Sequence, residues 1–157
     1  MQPPPPVSPH VAASFARQGL MRSLGARLVE AKDGRCTIEA PFGDALGQQH
    51  GLFHGGAIAA IADTAGGFAA LSAARGGDVL TAEFKISFLR PAAGKLVRAR
   101  AEVLRLGRGL ATVACRVHVV AADGEVHCAE LLGTMAIRGA DDRPGRDAPG
   151  GAGGPAA

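Results

Sequence analysis

The segment Ala57–Ala74 constrains this chain more than any other. It is built from Ala, Ile, Leu, Phe and Gly, and its only charged residue is Asp63. A run of about eighteen residues that is apolar on nearly every side is too long for a strand and reads as a buried helix. A buried carboxylate is costly unless something compensates it. Positions three and four away from Asp63 are Ala59, Ala60, Gly66 and Gly67, so no cation on the same helix can do so. Asp63 therefore either meets a partner from another element or is a functional group. Gly66 and Gly67 disfavour the helix by about 1 kcal/mol each and point to close packing, against a second helix among other options. Arg75-Gly76-Gly77 supplies the stop signals.

The rest of the chain reads as strands to cover that helix. Ala26–Ala31 and Arg35–Phe42 flank Asp33-Gly34, a hairpin signal, and Cys36, Ile38 and Ala40 alternate with polar neighbours. Leu80–Leu89 alternates Leu80, Ala82, Phe84, Ile86 and Phe88 against Thr81, Glu83, Lys85 and Ser87, and Pro91 stops it. Leu96–Leu106, Leu110–Ala121 and Val126–Arg138 follow. The short links around Gly94, Gly107–Gly109 and Asp123-Gly124 favour antiparallel neighbours. A helix over Pro9–Leu24, with Val11, Phe15 and Leu20 apolar, precedes them. The expected fold is α+β, an antiparallel sheet wrapped around a long central helix. One open sheet cannot enclose a helix, so a second protomer is expected to cover part of it.

Length sets one domain. The expected division is a disordered Pro-rich tail over 1–9, a folded domain over 10–138, and a disordered Gly/Pro/Ala-rich tail over 139–157. A formal charge of +3 with six Phe, no Trp and no Tyr gives neither a basic run nor a stacking platform, which disfavours nucleic acid as partner. No leader-like or membrane-spanning segment is read, and three cysteines without a CxxC suit reduced thiols in a cytoplasmic protein. His50/His54 lack a third ligand. Strand alternation separates Cys115 from His118 and His127 from Cys128, so no metal site is expected.

The start of the long helix adds chemistry. His54-Gly55-Gly56 presents unobstructed N–H groups at a helix N-terminus, where an anion or a developing oxyanion is stabilised. Asp63 lies about seven residues further on, roughly 10 Å along the axis. The two features can act on one group only if two such helices lie antiparallel across a twofold axis, which predicts an isologous dimer with two sites.

Gln48-Gln49-His50-Gly51-Leu52-Phe53-His54-Gly55-Gly56, then Ala62-Asp63-Thr64-Ala65, then LTAEFKISFLRP over Leu80–Pro91, closely resemble hotdog-fold thioesterases of the phenylacetate-degradation (PaaI-like) type. The resemblance covers roughly Leu24 to Arg138. It implies an acyl-CoA thioesterase without metal or cofactor, acting as a homodimer or a dimer of dimers. Asp63 would be the nucleophile or general base, and the Gly55 N–H would polarise the thioester carbonyl. His54 would shape the site. Gln48 falls where many relatives have Asn, and Thr81 where relatives carry a hydroxyl near the attacking water. The polar strand face of Thr81 points away from the helix in a simple wrap. Gly56, Arg90, Arg105, Gly107 and Arg108 would meet the CoA moiety, with solvated surface arginines as the alternative. An acyl-thioester hydratase or dehydratase and a non-catalytic acyl-CoA-binding module are the competing functions. The acyl group is left open.

Overall fold

The computed structural model describes residues 7–74 and 76–139. Arg75, residues 1–6 and residues 140–157, which carried the helix-stop and tail expectations, lie outside the described residues. Residues 7–9 do not belong to a tail. Val7 bridges Ala31 in parallel, the Ser8 N–H donates to the Ala31 carbonyl at 2.9 Å, and Pro9 opens the first helix. Pro suits that place because the first helical N–H has no intrahelical acceptor.

The N-terminal helix is two helices, α1 (Pro9–Ala16) and α2 (Gly19–Ser23). The break falls at Gln18, whose backbone is extended. It turns the chain so that Val11 and Met21 are both buried, while Leu20 is 56% exposed rather than part of the core.

Six strands follow the expected segments: β1 (Arg27–Lys32), β2 (Arg35–Pro41), β3 (Asp78–Phe88), β4 (Leu96–Leu106), β5 (Leu110–Ala121) and β6 (Gly124–Arg138). The Asp33-Gly34 turn between β1 and β2 has both residues at positive φ, 51° and 81°, as a tight hairpin of that hand requires. The antiparallel sheet has the order β1-β2-β4-β5-β6-β3. The inner faces of β2, β4 and β5 carry Ile38, Ala40, Val97, Ala99, Val113, Cys115 and Val117, all buried. Burial pushes the Cys115 thiol up to about 12, which keeps it protonated and inert.

One expected pairing is absent. β3 and β4 are not neighbours: β3 joins β6 at the sheet edge, and the link around Gly94 crosses to set β4 beside β2. The link is held by Leu89 N–H to Cys128 O (2.8 Å), Phe53 N–H to Ala92 O (3.1 Å) and Lys95 N–H to Val120 O (2.9 Å). Gly94 is required by closeness, since a Cβ there would lie 2.6 Å from both Val119 Cγ2 and Val120 O.

The long helix α3 (Gly55–Ala73) lies across the concave face. Its length and composition would suit a bilayer, but Ile58, Ile61, Ala62, Ala65, Phe68 and Ala69 are buried in the core. This is the hotdog arrangement that the resemblance implied. At its C-terminal end Ser72 accepts from the Gly34 N–H at 2.9 Å and donates to Ala69 O at 2.8 Å, tying the first hairpin to the helix.

The two helix glycines differ. A Cβ on Gly66 would meet Val113 Cγ2 and Met135 Cε at 3.0 Å, whereas a Cβ on Gly67 would have nothing within 4 Å. Close packing within the chain therefore explains Gly66 only. Gly66→Ala is expected to lose about 1–2 kcal/mol, because crowding of a packed core outweighs the gain in helix propensity. Gly67→Ala is expected to gain about 1 kcal/mol. Denaturant unfolding of the two variants checks both signs.

The outer face of the sheet is charged. Glu39, with a side chain 3% exposed, is paired with Arg27 and Arg98. Arg98 also pairs with Glu125, which holds Arg100 through two bonds of 2.8 and 3.0 Å.

Candidate active site

Asp63 projects from the middle of α3 on the face left open by the sheet, and it is half-buried. Its partner comes from β3: the Thr81 hydroxyl donates to Asp63 Oδ1 at 2.7 Å. Strict alternation would have pointed Thr81 away. A bulge between Thr81 and Glu83 changes the face. Before it, Val79 and Thr81 stand opposite the inward Ile137 and Met135; after it, Phe84, Ile86 and Phe88 stand opposite Gly133, Leu131 and Ala129. Leu80, expected inside, is 51% exposed.

Burial raises the Asp63 carboxyl above the ordinary aspartate value, and the hydrogen bond from Thr81 partly offsets this by favouring the anion. No Lys or Arg among the described residues forms an ion pair with it. A carboxylate with a raised pKa and one hydroxyl partner is suited to accept a proton or to attack an electrophile. Thr81→Val removes the hydroxyl donor at nearly constant shape. It is expected to raise the Asp63 pKa further, moving the acid limb of the activity profile to higher pH. A pH–rate profile unchanged from wild type would contradict this coupling.

Asp63 lies in the wall of a cavity of about 540 Å³. Thr64, Gly67, Phe68 and Leu71 of α3 form one wall, Val79 and Leu80 of β3 another, and Ser14, Gln18 and Leu20 of the α1–α2 segment a third. Sequence reasoning missed these residues. The spacing from Asp63 to Leu71 could have identified the helix face, but nothing local shows that α1 packs beside it.

The helix start forms a separate cavity of about 420 Å³, lined by Gln48, Gly55, Ile58, Phe88 and Arg90 among others. His54 caps α3: its Nδ1 accepts the Gly56 N–H at 2.8 Å. That bond occupies the Gly56 donor, while Gly55, as the first helical residue, has no intrahelical acceptor for its N–H. Gln48 Oε1 accepts from the His50 N–H at 3.0 Å, and the Gln48 N–H donates to Leu52 O at 2.9 Å. Phe88 packs over Gly55, where a Cβ would lie 3.1 Å from the ring.

Within one chain the two cavities are distinct, since eight residues of helix separate Gly55 from Asp63 by about 12 Å. The arginines also divide. Arg90 lines the Gly55 cavity and donates to His127 O at 3.1 Å. Gly107 and Arg108 line a third cavity with Gly76 and Gly77, at the other end of α3, and Arg105 is exposed on the neighbouring β4.

A family model described as the thioesterase superfamily matches residues 50–125. A thioesterase family protein from Silicibacter pomeroyi is 38% identical and superposes with a TM-score of 0.78, covering 80% of this chain and 93% of that one. The chain belongs to the thioesterase superfamily. It is a thioester hydrolase, as the resemblance implied. A Halobacterium salinarum protein classed as an esterase by inference is 36% identical, covering 68% of this chain and 76% of that one. The PaaI protein from the phenylacetic acid degradation operon of E. coli shares the fold, with a TM-score of 0.73 at 23% identity over 82% of this chain and 90% of that one.

Proposed function

We propose that this thioesterase hydrolyses an acyl-CoA to the free acid and CoA, in the manner of the PaaI-like type, with Asp63 as nucleophile or general base. The contact between the Thr81 hydroxyl and Asp63 carries the reading, because it sets a half-buried carboxylate at the mouth of a largely apolar cavity. A thioester needs an activated nucleophile and a donor for the oxygen on which charge develops. The Gly55 N–H is the donor in this reading, and it must come from a second copy, since within one chain it lies too far from Asp63. An antiparallel pairing of two α3 helices satisfies this and gives two equivalent sites in an isologous dimer, itself able to pair into a tetramer. Gln48 then helps hold the reacting groups, and His54 acts by spending its ring nitrogen on Gly56, leaving Gly55 as the open donor. Arg90 sits beside the Gly55 cavity as a phosphate partner for CoA, and the antiparallel pairing moves the partner's Arg105 and the partner's Gly107–Arg108 turn toward that end. The buried thiols of Cys36, Cys115 and Cys128 suit a cytoplasmic setting.

Complementation tests the shared site. Gly55→Pro removes the N–H and sets a ring carbon against Phe88, so its melting temperature is measured beside its activity. Pro is favoured at the first helical position, and His54 before it is already extended (φ −67°, ψ 134°). Its activity on acyl-CoA esters should fall about 100-fold. Mixed and refolded with Asp63→Asn, it should regain about a quarter of wild-type turnover, because random pairing restores one of two sites in half of the dimers. Two inactive variants that stay inactive when mixed would refute the shared site.

A further inference from the structure

Gly67 is a glycine that packing within the chain does not require. In a helix interior it costs about 1 kcal/mol against Ala, and a Cβ there would have no neighbour within 4 Å. The space that its missing side chain leaves belongs to the 540 Å³ cavity, which Asp63 also lines. Gly67 stands one turn beyond Asp63 on the same face of α3, about 6 Å along the axis. Leu71 follows one turn further, and Phe68, 4% exposed, lies beside it. Opposite, Val79 comes two residues before Thr81 on β3, so the cavity runs from the carboxylate toward the end of the helix past Phe68, Leu71 and Val79, with the charged Asp78 and Arg138 at its far rim. A thioester held with its carbonyl at Asp63 would lay the first atoms of its acyl group over position 67.

We propose that Gly67 is a specificity-determining residue: its lack of a side chain admits a bulky acyl group, a ring or a medium-length chain, past Asp63 into the end walled by Phe68, Leu71 and Val79. The inference rests on the acyl-CoA reading of the Asp63 site. Any side chain at 67 would stand where the carbons next to the carbonyl must pass, so acyl groups larger than acetyl would be excluded first. Asp63 and Thr81 themselves would keep their contact.

The test compares wild type, Gly67→Ala and Gly67→Val on acetyl-, hexanoyl- and benzoyl-CoA, with kcat and KM separated. Melting temperature and molecular mass are recorded for each. Gly67→Val should lower the ratio of kcat/KM for benzoyl or hexanoyl over acetyl by at least about tenfold, mainly through KM, as loss of uniform binding does. Gly67→Ala should fall between, with a melting temperature at or above wild type. Equal losses on all three esters, or a change in oligomer mass, would overturn the proposal and make position 67 a packing site for a second helix. If wild type hydrolyses none of the esters, the acyl-CoA hydrolase reading fails. Calorimetric binding of thioether analogues of acetyl- and benzoyl-CoA then decides the inference alone: selective loss of the benzoyl analogue in Gly67→Val supports it, and equal affinity refutes it.

Discussion

Asp63→Asn should lower kcat on acyl-CoA esters about a thousandfold, or about 4 kcal/mol of transition-state stabilisation, while making the protein more stable. The first half follows from chemistry, since Asn keeps the shape and its Thr81 contact but neither attacks nor accepts a proton. The second half follows from burial. The Asp63 pKa is raised in the folded state, chiefly by desolvation, with the Thr81 bond opposing. The folded protein therefore holds this proton more tightly than the unfolded chain does. The associated stability is present below the ordinary aspartate pKa and is lost as pH rises through the folded value. At neutral pH the wild type bears that cost and Asn does not. Activity and melting temperature measured across pH 4 to 8 on the same samples check both halves. Wild-type stability should fall relative to the variant as pH rises through the acid range. A variant that is inactive and also less stable than wild type would show that its loss comes from damage to the fold.

The second large effect is expected far from the site. Arg98→Met should destabilise the fold by about 3 kcal/mol, because it strips a buried carboxylate of its better partner. The Glu39 side chain is 3% exposed, and its remaining partner Arg27 is 68% exposed, against 25% for Arg98. Glu125 keeps Arg100 and loses little. If the penalty arises from an orphaned charge, adding Glu39→Met should restore most of the loss, since apolar groups of similar volume replace a buried pair at little cost. Urea midpoints of the two single variants and the double variant measure this. A single-variant loss below about 1 kcal/mol would mean that Arg27 alone satisfies Glu39.

What could be read from the chain depended on how local each signal was. The long helix and the isolation of Asp63 follow from residues adjacent in sequence, and so do the alternating faces of β2, β4 and β5. The Asp33-Gly34 hairpin is a two-residue signal and was equally plain. Sheet order was not legible, because the turn-like link at Gly94 looks like any hairpin connection, while the pairing of β3 with β6 is fixed by partners some fifty residues away. The split between α1 and α2 serves the burial of Met21, and that need appears only once the core it joins is assembled. The cavity beside Asp63 was hidden for the same reason: Ser14 and Gln18 meet it from the α1–α2 segment and Val79 from β3. His54 was legible as a site residue, but its task was not, since capping requires knowing that the helix begins at Gly55 rather than at Ala57.

The bulge in β3 leaves the reactive centre dependent on the number of residues in a strand as well as on their kind. From Leu80 to Phe88 the letters alternate without a fault, and a reader of letters would place Thr81 outside. One surplus residue, Ala82, reverses that. Its excision would leave Thr81 opposite Met135 and Glu83 opposite Thr134 in an unbroken ladder, with the hydroxyl that serves Asp63 still inward; were Ala82 instead to take a regular place in the ladder, Leu80 would turn inward and that hydroxyl would pass to the far side of the sheet. The chemistry of this hydrolase thus hangs on a residue with no catalytic letter staying out of the ladder.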